Sequence, residues 1–219
     1  MVYGTYVSNL NGGPLVYEGN VNATQNAILV GYTGMTTFPV TEGAYQTVYG
    51  NGGDGFCTKM SDDGSDLVFS TFFGGSGYES ALGAAVDDLD NIYVSGYTGS
   101  TNMPVSTGAF QIANAGGNDL FVFKLNPDGD ELIYSTYIGG SGSEMGYTVA
   151  VDAAYNAYMI GYTPSTNFPV TTGAFQTTNA GGTNDLVVFK INPTGTALVY
   201  STYIGGSLDD NAYGIDVTP

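Results

Sequence analysis

The triplet Gly31-Tyr32-Thr33 returns as Gly96-Tyr97-Thr98 and again as Gly161-Tyr162-Thr163, a step of 65 residues each time. A fixed period of this size means one supersecondary unit used several times, each copy packing on the next. The unit reads most clearly between Tyr134 and Val199, as YSTYIGG, GYTVAVD, NAYMIGYT, NFPVTTGAFQTTNAGG and NDLVVFKINPTG.

Four kinds of segment within the unit carry a strand signal. VFSTFF (68–73), IYSTYI (133–138) and VYSTYI (199–204) alternate aromatic and β-branched residues with Ser and Thr, and VYGTYV (2–7) matches them. ALGAAVD (81–87), GYTVAVD (146–152) and AYGIDVT (212–218) form a second kind. A short turn with Asn26, Asn91 or Asn156 leads to the third kind, which ends in the Gly-Tyr-Thr triplet, and the two read as a hairpin. The fourth kind, DGFCTKM (54–60), DLFVFKL (119–125) and DLVVFKI (185–191), is apolar at successive positions, so it is expected to be buried on both faces. The turns SDDGSD, NPDGDE and NPTGTA close the unit. Before the fourth kind runs a connection, 34–53 in the first copy, too long for a structureless loop. Its apolar residues recur in place (Phe38, Met103, Phe168), so it is expected to be ordered and packed on its own sheet.

No segment has helical periodicity. The reading is an all-β fold: a β-propeller-like array of four-stranded antiparallel blades, repeating every 65 residues in an open, incomplete ring. Residues 1–219 form a single repeat domain, with 1–33 a partial repeat, 34–98, 99–163 and 164–219 the repeats, and the last blade unfinished.

Charge narrows the partners. Twenty acidic residues face three Lys, with no Arg and no His, for a net charge of −17. Binding to nucleic acid needs clustered Lys and Arg, so it is excluded, and docking on an anionic membrane is disfavoured for the same reason. No apolar run approaches the ~20 residues of a membrane span. No signal peptide is legible at Met1-Val2-Tyr3. The lone Cys57 cannot form an intrachain disulfide.

The run VDAAYNAYMIGYTPSTNFPVTTGAFQTTNAGGTNDLVVFKINPTGTALVYSTYIGG resembles the SBBP β-propeller repeat of bacterial and archaeal cell-surface and secreted proteins. The resemblance extends over nearly the whole chain. It implies an extracellular or cell-surface protein and no catalytic residues.

Propellers close with four to eight blades. This chain supplies three, with residues 2–7 in front and 212–218 behind as leftover strands. Either the chain is a segment of a longer propeller, or neighbours complete its edges to give an oligomer or filament.

The candidate sites are few. Lys59, Lys124 and Lys190 occupy one repeat position, and Asp54, Asp119 and Asp185 lie five residues earlier, on the opposite face by parity. The lysines form either a ring of cations lining a channel or, more simply, pairs with carboxylates of a neighbouring strand or blade. Asp87, Asp88 and Asp90 are the candidate Ca²⁺ ligands, although no EF-hand spacing surrounds them and a solvated turn is the plainer reading. No other cofactor is expected. Without His, a Ser-His-Asp triad cannot form, and no enzyme activity is expected. The expected function is structural: self-association through open strand edges, or membership of a larger surface protein. The alternative is an adhesion module binding glycan or protein through blade loops such as those of Glu79, Met145 and Asp209.

Overall fold

The computed structural model describes residues 15–21 and 26–217. Among them are twelve strands and no helix. Strands β1 (Leu15–Val21), β2 (Ala27–Thr33), β3 (Asp54–Met60) and β4 (Leu67–Phe73) form the first sheet. The second comprises β5 (Glu79–Val86), β6 (Ile92–Thr98), β7 (Asp119–Leu125) and β8 (Leu132–Ile138). The third comprises β9 (Met145–Val151), β10 (Ala157–Thr163), β11 (Asp185–Ile191) and β12 (Leu198–Ile204). Each strand pairs antiparallel with the one that follows it, so every sheet is a meander.

Two bulges recur in each sheet. Between the first and second strands, Tyr17, Leu82 or Tyr147 is skipped in the pairing, opposite the glycine of the Gly-Tyr-Thr triplet. The bulge drives backbone into that glycine: a Cβ on Gly96 would lie 1.9 Å from the Ser80 carbonyl oxygen. Between the third and fourth strands, Val68, Ile133 or Val199 is skipped and left exposed.

The sheets stack face to face. Phe69, Phe73 and Cys57 of the first pack with Ala84, Phe121 and Phe123 of the second, where the Phe73 and Phe123 rings lie 3.8 Å apart. Tyr134, Ile138 and Val122 of the second pack with Val149 and Met159 of the third. The connecting segments tighten both joints. Tyr45 N–H donates to Gly129 O, and Phe110 N–H to Gly195 O, each reaching the closing turn of the following sheet. Gly129 (φ 70°) lies so close to the Phe69 ring that a Cβ would sit 2.3 Å from it.

The long connection is ordered, with Phe38, Met103 and Phe168 buried. It runs beside its own fourth strand: Thr41 N–H donates to Ser70 O and Phe72 N–H to Gln46 O, and the pattern repeats along β8 and β12. The fourth-strand edges are therefore not open. The fourth-strand edge of each sheet is sheathed by main-chain bonds from its own connection, which is one way natural sheets protect an edge.

Three further differences from the sequence reading have physical causes. Strand β1 precedes the first hairpin strand, yet LVYEGNV lacks the VAVD pattern that would have marked it. Residues 212–217 are not a strand; Tyr213 instead sets its ring 5.2 Å from that of Tyr147 in the third sheet. Residues 2–7 lie outside the described residues. Finally, β3 and β7 are buried at every position, whereas β11 alternates buried with half-buried residues. The second sheet has a neighbour on each side, which covers both faces of β7; the third has one, which leaves β11 partly uncovered.

Gly129→Ala tests the joint between sheets. It combines a left-handed backbone with a clash on an aromatic ring, and should cost about 3 kcal/mol in chemical denaturation. Gly43→Ala, with φ 80° and nothing within 4 Å, should cost only about 1 kcal/mol.

Candidate functional site

Each sheet carries one polar network at either end of its third strand. At the beginning of that strand stands Asp54, Asp119 or Asp185, fully buried. Its Oδ2 accepts a backbone N–H from Gly50 (2.8 Å), Ala115 (2.9 Å) or Ala180 (2.7 Å). It also accepts the side-chain amide of Gln46, Gln111 or Gln176, at 3.2, 2.6 and 3.3 Å. The same glutamine accepts through Oε1 the N–H of Gly74, Gly139 or Gly205, at 3.1, 3.0 and 3.0 Å. The glutamine of GAFQ thus staples the aspartate to the glycine pair that leads into the next sheet.

A second carboxylate comes from that next sheet. Glu79 accepts Gly75 N–H at 3.0 Å and the Thr98 hydroxyl at 2.6 Å, and Glu144 accepts Gly140 N–H at 3.0 Å and the Thr163 hydroxyl at 2.7 Å. Both are buried. Glu79 is therefore a seam residue and not the displayed loop residue expected from its place after a Gly-rich run. The two carboxylates face each other across Gly74 or Gly139: a Cβ on Gly74 would lie 2.4 Å from Glu79 Oε2 and 3.0 Å from Asp54 Cγ. Burial pushes the Asp54 and Asp119 carboxyls up to about 6; each backbone N–H opposes this and the neighbouring glutamate adds to it.

The other end of the strand holds the lysines. Lys124 Nζ lies 3.0 Å from Asp87 Oδ2 and donates to Tyr93 Oη at 2.7 Å, while Tyr93 donates to Asp87 at 3.1 Å. Asn91 secures both oxygens of Asp87 through its side-chain amide. Lys190, Asp152, Tyr158 and Asn156 repeat the arrangement, with Lys190 Nζ 2.8 Å from Asp152. Burial pushes the Asp87 and Asp152 carboxyls up, but the bonds from asparagine and lysine outweigh it and hold both below the ordinary range. The first sheet departs from this pattern. Ile28 stands opposite Lys59 where Tyr93 stands opposite Lys124, and Lys59 Nζ donates instead to Pro127 O of the second sheet at 3.1 Å.

Of the aspartates considered for calcium, Asp87 is engaged by Lys124 and Asn91, Asp88 is exposed beside Tyr155, and Asp90 takes a left-handed turn conformation (φ 62°). No group of three or more His, Cys, Asp or Glu side chains converges on one point among the described residues. Asp63 accepts from Ser65 and Ser61, which brings it down to about 2 as an ordinary turn carboxylate. Burial pushes the Cys57 thiol up to about 12, which suits a packing residue and not a nucleophile. An open groove of about 640 Å³ lies between the second and third sheets, lined by Leu82, Tyr97, Met145, Tyr147 and Tyr213. No helix among the described residues is long and apolar enough to cross a membrane.

The two networks set opposite pH limbs. Asp54 and Asp119 titrate higher folded than unfolded, so their charging costs stability as pH rises from about 4 to about 6. Asp87 and Asp152 titrate lower folded, so their contribution is present above about pH 4 and lost as pH falls. In chelator-treated buffer, thermal unfolding should show greatest stability near pH 4. Lys124→Met, which strands a buried carboxylate, should cost about 3 kcal/mol, and Lys190→Met, at a more exposed pair, distinctly less.

No curated protein is found to match the chain. Residues 133–169, from β8 through the β9–β10 hairpin into the connection beyond, match the SBBP β-propeller repeat, so the chain carries this repeat and its sheets are read as blades.

Proposed function

We propose that this chain is a non-enzymatic structural module of a surface protein, and that its third blade takes up the first blade of another copy, head to tail. The observation that carries the reading is the uncovered face of the third sheet. Tyr200 is 37% exposed where Tyr134 is 1%, and Ile204 is 40% exposed where Ile138 is 0%. Phe175, which matches Tyr45 and Phe110 at the blade joints, is 85% exposed. An apolar face of this kind marks an interaction surface.

The first blade carries the matching part. Gly129 and Gly195, at φ 70° and 69°, are buried against Phe69 and Tyr134 of the preceding blade. Gly64 makes the same turn at φ 69° but is only half-buried. Seating Gly64 of one copy on Tyr200 of the next repeats a joint used twice within the chain. Such a contact is heterologous and builds rings or filaments. Support for the absence of catalysis comes from the chemistry on hand: there is no His, the thiol is buried, and the paired carboxylates are sealed within the seams.

Sedimentation velocity over a range of concentrations tests the reading. Mass should grow with concentration, and Phe175→Asp with Ile204→Asp should weaken association at least about tenfold. A wild-type protein that stays monomeric at high concentration would overturn it.

A second reading rests on the tyrosine-lined groove. Tyr97, Tyr147 and Tyr213 could stack on a sugar or an aromatic peptide side chain. Tyr147→Ala should then abolish glycan-array binding while leaving assembly intact.

A further inference from the structure

The carboxylate pairs in the blade seams are built like binding sites for something the protein's own side chains do not supply. Asp54 and Asp119 each have one oxygen, Oδ2, fully engaged by glutamine and backbone N–H groups. The other, Oδ1, is buried in both and has no hydrogen-bond partner. Asp185 Oδ1 is in the same condition, so the unpaired oxygen recurs at every blade. A buried carboxylate oxygen without a partner is costly, and those of Asp54 and Asp119 face a second buried carboxylate instead of a donor. Asp54 Oδ1 and Glu79 Oε2 both point at Gly74, lying 3.2 and 2.4 Å from the position its Cβ would take. At the next seam, Asp119 Oδ1 and Glu144 Oε2 lie 2.4 and 2.7 Å from the corresponding point on Gly139. The glycine keeps the space between the carboxylates open.

Every charged group at the seam is an acid. The lysines are spent at the far end of the third strand, on Asp87, Asp152 and Pro127 O. The seam also offers main-chain oxygens, with Gly75 O and Asp54 Oδ1 both close to Gly50. Two carboxylates and carbonyl oxygens, with neither nitrogen nor sulfur, form a donor set for a hard cation.

We propose that each sealed seam, Asp54 with Glu79 and Asp119 with Glu144, binds a hard divalent cation of the Ca²⁺ class, which locks one blade to the next. Because the two carboxylates of a pair come from different blades, the ion acts as a rivet between sheets. Its charge would offset the burial that pushes both aspartates up to about 6. At the third blade, Asp210 is half-buried and accepts Gly206 N–H at 2.7 Å, so the pair with Asp185 is more open to solvent.

The test uses the full chain, stripped with chelator and titrated with CaCl₂ by calorimetry, with thermal unfolding in parallel. Millimolar Ca²⁺ should raise the midpoint by roughly 5–10 °C at neutral pH and flatten the loss of stability between about pH 4 and 6. Glu144→Gln should remove one equivalent of bound Ca²⁺ and leave the rest. Glu79→Gln does the same at the other seam, should the first variant fold poorly. Tb³⁺ in place of Ca²⁺ should give tyrosine-sensitised emission, since Tyr137 feels the charges of both Asp119 and Glu79. A melting temperature and pH profile unmoved by Ca²⁺ would overturn the proposal and leave the pairs holding a shared proton. Binding that survives unchanged in both variants would overturn the assignment to these residues.

Discussion

A four-stranded sheet with two apolar faces cannot shield either face by itself, and the rest of this molecule follows from that constraint. The third strand of each blade is the most apolar element; β7 is closed off by a sheet on each side, whereas β11, with one, is not. The joints between blades are correspondingly elaborate. Aromatic rings fill the middle of each interface, a turn glycine is pressed on an aromatic ring at one end, and a carboxylate pair sits at the other. Apolar burial supplies the bulk of the attraction, and the polar networks fix how one blade is placed on the next.

The polar networks divide the work between two ends. At the lysine end of the second and third blades, the ion pair and its tyrosine and asparagine come from one hairpin and the strand beside it, so the network acts chiefly within a blade. At the aspartate end, the partners come from a blade, its long connection and the following blade, so the network holds the array together. The first blade shows that the lysine position tolerates change: with Ile28 in place of tyrosine, Lys59 turns outward to the neighbouring turn and bridges blades instead.

Much of this was legible in the sequence because a repeat turns single residues into triplets. Three lysines among twenty acids, all at one position, already implied carboxylate partners, and Asp87 and Asp152 provide two of them. The strand pattern was legible wherever the alternation was regular. Strand β1 was not, since Glu18, Gly19 and Asn20 break the apolar pattern and its place is set by pairing with β2. Residues 212–217 have the composition of a strand, yet among the described residues they join no sheet. The glutamine staple was hidden by distance along the chain: Gln111 and Gly139 are 28 residues apart, and only the fold brings them together. Glu79 was misread for a similar reason, since what buries it belongs to the wall of the next blade.

The placement of the lysines also governs how the folded protein meets proteases. Enzymes that cut after basic residues have only the bonds Lys59–Met60, Lys124–Leu125 and Lys190–Ile191 to attack, because there is no arginine. All three bonds lie within the third strand of a blade, laddered on both sides. A trypsin-like protease must therefore wait for a whole sheet to open, so its digestion of the chain would report on blade unfolding and not on loop accessibility.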